Sequence, residues 1–189
     1  LNGFSTSIGS LTGAGTVLTG GATLTLNGGG ISSFGGSITG SGGLIKAGTG
    51  SVTLTGANSH TGTTTVAGGT LAVSATGSLA GAVLNQANFT NAGTVAGMVR
   101  NDAMLTSTGT LAGGLLNNGT ASLAGTIGNG MINNGAATFT GAATIAALQQ
   151  DGTGTLDLAG FGVSLGTLSG AGAINLGTGA LTIGNGNGN

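Results

Sequence analysis

Four consecutive segments of this chain can be written under one another without a gap. They are VLNQANFTNAGTVAGM (83–98), VRNDAMLTSTGTLAGG (99–114), LLNNGTASLAGTIGNG (115–130) and MINNGAATFTGAATIA (131–146). The period is 16 residues. Asn85, Asn101, Asn117 and Asn133 fall in one column, and Gly93, Gly109, Gly125 and Gly141 in another. Val83, Val99, Leu115 and Met131 make an apolar column. Val95, Leu111 and Ile127 make a second, in which the last copy offers Ala143. A unit this short cannot bury enough apolar surface to offset the entropy of ordering its own backbone. Its stability must come from neighbours above and below, so each unit is read as one rung of a solenoid.

Glycine every few residues forbids long helices. The apolar positions are joined instead by short alternating stretches such as Ala121-Ser122-Leu123. These fit strands of three to five residues linked by Gly or Asn corners, the residue types that accept left-handed backbone geometry. A column of Asn can stack into an amide ladder along the axis. The expected fold is therefore all-β: a right-handed parallel β-helix, with the hand taken from the usual strand-crossover rule. At about 4.8 Å per rung, roughly 9–12 coils make a rod of about 45–55 Å.

Composition agrees with this and narrows the role. The 189 residues include 45 Gly, no Pro and only five charged side chains, for a net charge of −1. Absence of Pro removes collagen and polyproline, and 39% apolar residues is too many for a disordered chain. No basic patch exists for nucleic acid. No apolar run is long enough for a membrane helix, and five Phe are too few for the aromatic girdles of a membrane barrel. We expect no direct membrane insertion. The chain has no Cys, hence no disulfide and no thiolate metal site. That suits a chain threaded unfolded through a pore. The opening LNGFSTSIGS lacks an initiator Met and any signal-peptide pattern, so the chain is read as a piece of something longer.

The flanks use a second module. Residues 8–27 and 165–184 align without a gap, Val17 with Ile174 and Leu24 with Leu181; a third copy, 38–54, needs one inserted residue. We therefore expect one β-helical unit over 1–189: irregular coils over 1–81, the four repeats over 82–146 and terminal coils over 147–189.

One stretch is more specific: LIKAGTGSVTLTGANSHTGTTTVAGGTLAV, residues 44–73. It resembles the passenger-associated repeat of bacterial autotransporters. Leu44, Lys46, Gly48 and Gly50 match its Leu-x-Lys before Gly-x-Gly, and Val52-Thr53-Leu54 its strand. Gly56-Ala57-Asn58, then Thr61, Gly62, Thr64 and Val66, then Gly68 to Leu71 complete it. Where the family usually carries an aromatic after the Asn, this chain has Ser59-His60. The resemblance implies a secreted or surface-displayed passenger of a Gram-negative bacterium, exported by type V secretion. Its signal and C-terminal translocator barrel would lie elsewhere in the full-length chain.

Candidate chemistry is sparse. His60 is the single histidine, read as turn-exposed or packing. Gly162-Val163-Ser164-Leu165-Gly166 spells a nucleophile-elbow motif, but the strand–turn–helix context and a following Asp and His are missing. Asp151 and Asp157 read as solvated turn carboxylates, and DGTGTLDLAGFG lacks the tandem recurrence of a calcium β-roll. The sequons at Asn88 and Asn118 read as chance. Thr23-Leu24-Thr25 and Thr53-Leu54-Thr55 suggest an ice-binding array, yet they do not recur in the 16-residue block, so no long Thr column is expected. We expect no enzyme, no cofactor and no metal. The expected role is a rigid stalk or adhesive rod that aids its own export by folding rung by rung. The alternatives are a self-associating surface filament or biofilm protein, and a β-helix binding a host-surface glycan or matrix ligand.

Overall fold

The structure, a computed structural model, describes residue 1 and residues 3–184. Among these there is no helix, and the chain winds into a β-solenoid of about 10 turns. Every strand pairing is parallel, and hydrogen bonds join 23 strands into one continuous sheet beside a separate pair, Thr16–Gly20 with Ser37–Gly40.

Each coil carries three short strands on three faces. The first face stacks Thr6–Ile8, Leu24–Leu26, Leu44–Lys46, Thr64–Val66, Val83–Asn85, Val99–Asn101, Leu115–Asn117 and Met131–Asn133. The second stacks Ile31–Phe34, Ser51–Leu54, Thr70–Val73, Asn88–Asn91, Met104–Ser107 and the start of Thr120–Ile127. The third stacks Ala57–Asn58, Ser78–Leu79, Thr94–Val95, Thr110–Leu111 and the end of Thr120–Ile127. Alternation within each strand sends every second side chain inward. One apolar core results, running without interruption from Leu11 to Leu165.

Coil size varies along the rod. Leu24 stands opposite Leu44 and Leu44 opposite Thr64, twenty residues apart. From Val83 to Met131 the spacing falls to sixteen, the period of the repeats. Val83, Val99, Leu115 and Met131 share one interior file and are at most 3% exposed.

The sequence columns drift at one corner. Leu123 faces Phe139, but Gly125 faces Ala143 after a register shift. One residue separates Leu123 from Gly125, whereas three separate Phe139 from Ala143, so the upper coil is wider there. Gly141 therefore leaves the glycine column. Ile127 meets Ile145 instead of Ala143, so the interior file keeps a large aliphatic group. The flanking modules also part company with their alignment. Leu24 lies on the first face, whereas its counterpart Leu181 pairs with Val163 on the third. All three faces use the same strand-and-glycine pattern, so a match of twenty residues slips by one face.

At Gly93 and Gly109 in the corner column glycine is required by approach, and Gly125 adds a left-handed φ of +83°. A Cβ on Gly109 would collide with the carbonyl oxygen of Gly93, and one on Gly93 with that of Gly77. At Gly152, an open corner, a Cβ would meet nothing within 4 Å. Gly109→Ala is expected to destabilise the chain by about 1–3 kcal/mol in chemical denaturation, and Gly152→Ala to leave the midpoint unchanged.

Candidate functional site: the buried amide column and the outer faces

Asn85, Asn101, Asn117 and Asn133 end their strands with the side chain inward, and all four are 0% exposed. An amide is both donor and acceptor, so identical residues can bond to one another along the axis. Nδ2 of Asn85 donates to Oδ1 of Asn101, Asn101 to Asn117 and Asn117 to Asn133, each at 2.7 Å. Asn133 donates in turn to Oε1 of Gln150 at 3.1 Å. Each Nδ2 also donates to a backbone carbonyl at the next corner: Met104, Thr120, Ala136 and Thr155. Side chain and corner are thus fixed together in every repeat.

Below the asparagines the same interior position holds Val66 and then Lys46. Lys46 is completely buried. Its Nζ donates to the carbonyl of Gly48 and, at 3.1 Å, to that of Gly68. Burial lowers its pKa. Gly69 closes over this ammonium with φ +61°, a conformation that disfavours any side chain, and a Cβ there would reach Nζ at 2.8 Å. His60 is also fully buried rather than turn-exposed. Its Nε2 meets Thr64 Oγ1 at 2.8 Å, while Nδ1 has no partner. Burial lowers its pKa, against a smaller upward pull from the nearby backbone of Ile38. Leu44, Lys46, Asn58, His60 and Thr64 are all inside the coil.

Residues 44–73 match the family model of the passenger-associated-transport-repeat. The match takes in thirty of the 189 residues. No curated protein and no solved structure matches the chain. In the fold, the passenger-associated-transport-repeat covers a full coil and the first two strands of the next, from the strand of Leu44 to the strand of Val73. Its Lys and its closing Gly-Gly meet at one interior point. Repeat and β-solenoid together support a role like that of an autotransporter passenger.

The outer surface carries little reactive chemistry. Ser164 lies on strand Val163–Gly170 between Thr144 and Thr182, and His60 is buried elsewhere with Thr64. Asp151 and Asp157 accept bonds from the backbone NH groups of Gly152 and Ala159. Among the described residues no group of three His, Cys, Asp or Glu could hold a metal. Arg100 pairs with Asp102 at 2.9 Å, and Asn118 also donates to Asp102. These two partners hold the Asp102 carboxyl below the usual carboxylate range.

Two surface features were not expected. Met98, Leu116, Asn129, Gly130 and Ile132 line a shallow depression of about 260 Å³ on the first face. On the third face an unbroken hydroxyl file runs through Ser78, Thr94, Thr110, Thr126, Thr144, Ser164 and Thr182. None of the seven is buried. Two residues on, each coil offers only Ala or Gly: Ala80, Ala96, Ala112, Gly128, Ala146 and Gly166. The expectation that no long Thr column forms is therefore corrected. Thr94, Thr110 and Thr126 already share a column of the aligned repeats; the two extra residues at the wide corner carry Thr144 back into it.

The buried column sets the stability of the repeats. Asn117→Leu removes the donor to Asn133 and the acceptor of Asn101, and leaves Oδ1 of Asn133 buried without a partner. It should cost about 1–3 kcal/mol, whereas Gln149→Leu, on the exposed side of the neighbouring strand, should stay within about 0.5 kcal/mol. Equal shifts in the denaturation midpoint would show that the ladder contributes nothing.

Proposed function

We propose that this chain is the stiff, nearly uncharged rod of a secreted or surface-displayed autotransporter-like protein, and that it aids its own export by folding coil upon coil outside the cell. The supporting observation is the passenger-associated-transport-repeat lying in register within one continuous core. Each coil gains its hydrogen bonds and packing from the coil beside it. Coils that fold as they emerge therefore hold the chain out and oppose its return. The adhesive part of this reading, contact with a host-surface glycan, a matrix ligand or another copy, draws on the outer faces, where small neutral side chains dominate. The test is made on the full-length protein in a Gram-negative host. Protease applied to intact cells should degrade the surface pool to a resistant core containing residues 44–165, and Asn117→Leu should lower the amount reaching the surface. Retention in the periplasm of a folded, resistant core would overturn the proposal.

The hydroxyl file favours a second reading, an ice-contacting face. Its repeat of about 4.8 Å along the axis is close to oxygen spacings in hexagonal ice. A rigid, flat array of methyl and hydroxyl groups orders first-shell water with little entropy left to lose. On this reading the 189-residue chain partitions into a growing ice front and shapes its crystals. Thr126→Tyr, which raises a bulky group from the file, abolishes both effects, while Thr106→Tyr on the second face does not. Exclusion of the unaltered chain from ice would end this reading and leave the rod intact.

A further inference from the structure

The described residues contain four Asn-Gly pairs: Asn27-Gly28, Asn118-Gly119, Asn129-Gly130 and Asn134-Gly135. This dipeptide is prone to a spontaneous reaction, because a glycine after asparagine leaves the backbone nitrogen unshielded. The nitrogen of Gly attacks Cγ of Asn. The new N–Cγ bond forms, the Cγ–Nδ2 bond breaks and ammonia leaves. Water then opens the resulting succinimide at either carbonyl, giving aspartate or isoaspartate. The fold decides which pairs can reach this geometry.

Two pairs are locked at both reacting groups. Gly119 N–H donates to Asn101 O at 3.1 Å, and Gly135 N–H to Asn117 O at 3.0 Å. The leaving amides are tied as well: Nδ2 of Asn118 to Oδ1 of Asp102 at 2.7 Å, and Nδ2 of Asn134 to Oδ1 of Asn118 at 2.9 Å. Attack would require breaking bonds between adjacent coils. At the Asn27-Gly28 corner, Asn27 N–H donates to Ile8 O at 2.8 Å, but among the described residues neither the Asn27 amide nor the Gly28 N–H makes a hydrogen bond, so this pair lacks the double lock of the other two.

Asn129-Gly130 also lacks that lock. Asn129 is exposed beside the buried Gly130, and both line the depression beside Met98 and Ile132. Among the described residues neither the amide of Asn129 nor the N–H of Gly130 makes a hydrogen bond within the protein. We propose that Asn129 is a site of spontaneous, selective deamidation, which places a carboxylate at the rim of the apolar depression while the stacked Asn118 and Asn134 stay intact. The added charge takes the chain from −1 to a more acidic balance. The isoaspartate product also lengthens the backbone beside Gly130, whose carbonyl accepts the Leu115 N–H at 3.0 Å. The modification therefore alters both the polarity of this patch and the corner that holds it.

The experiment incubates the folded 189-residue chain in mildly alkaline buffer and follows each Asn by peptide mapping with mass spectrometry, with enzymatic methylation to detect isoaspartate. A second sample is kept in urea throughout. In the folded chain Asn129 should be converted well before Asn118 and Asn134; in urea the three should react alike, because the dipeptide is the same. Asn129→Gln, which disfavours the five-membered ring, should remove the early product and leave the melting midpoint unchanged. Conversion of Asn118 or Asn134 first or at the same rate in the folded chain, or no early conversion of Asn129, would overturn the assignment.

Discussion

Everything in this molecule depends on parallel, in-register stacking of one coil on the next. That stacking supplies the hydrogen bonds of every strand, and it forces side chains at equal positions to share a file. It also brings backbone against backbone at the corners, so closely that Gly93 and Gly109 leave no room between them for a methyl group. The high glycine content follows from that contact. Most glycines mark where two coils touch, although some corners, such as Gly152, are open, and the strands between the corners supply the apolar interior.

The buried polar groups divide into two kinds. In the repeats they form a homotypic series, in which each Asn satisfies the next and also fastens the following corner. In the passenger-associated-transport-repeat they are singular. Lys46 is answered by carbonyls of Gly48 and Gly68, and His60 by Thr64 alone. No carboxylate faces either group, so burial alone sets the direction of both pKa shifts, downward. The repeat thus joins coils through isolated donors aimed at backbone oxygens. The 16-residue block joins them through a chain of amides. Between the two, Val66 stands in the same interior position and separates the ammonium from the first Asn.

How much of this is legible in sequence depends on the corners. Where three successive coils have equal length, as from Val83 to Leu115, the period of the text is the register of the strands. A corner that gains two residues breaks that identity without breaking the fold. Text alone places Gly141 over Gly125, but the structure places Ala143 there, because the register shifts by two residues at that corner while the strands on either side keep their partners. The same process hides the hydroxyl file, whose fourth Thr is displaced by that insertion. The flanks show the opposite failure. Leu24 and Leu181 look equivalent because three faces share one local grammar, and only strand pairing tells the faces apart.

The scarcity of charge has the same origin. In a stacked file each side chain has a like-placed neighbour at about 4.8 Å, and two like charges at that distance repel along the whole rod. A repeating charged residue would therefore be unfavourable in a way that a repeating Thr, Ala or Asn is not. No charged residue has a charged neighbour next to it in its file; Asp102 and Asp151 share a corner file but are separated by Asn118 and Asn134. Arg100 lies between Leu84 and Leu116, Lys46 between Leu26 and Val66, and Asp157 between Thr138 and Asn175. Asp102, at a corner, is covered by an amide that donates to it. The preference for Asn over Asp in the interior column follows too, since a carboxylate can only accept and could not bond to its own copy. A nearly neutral surface is thus a product of the architecture before it is a property selected for any partner.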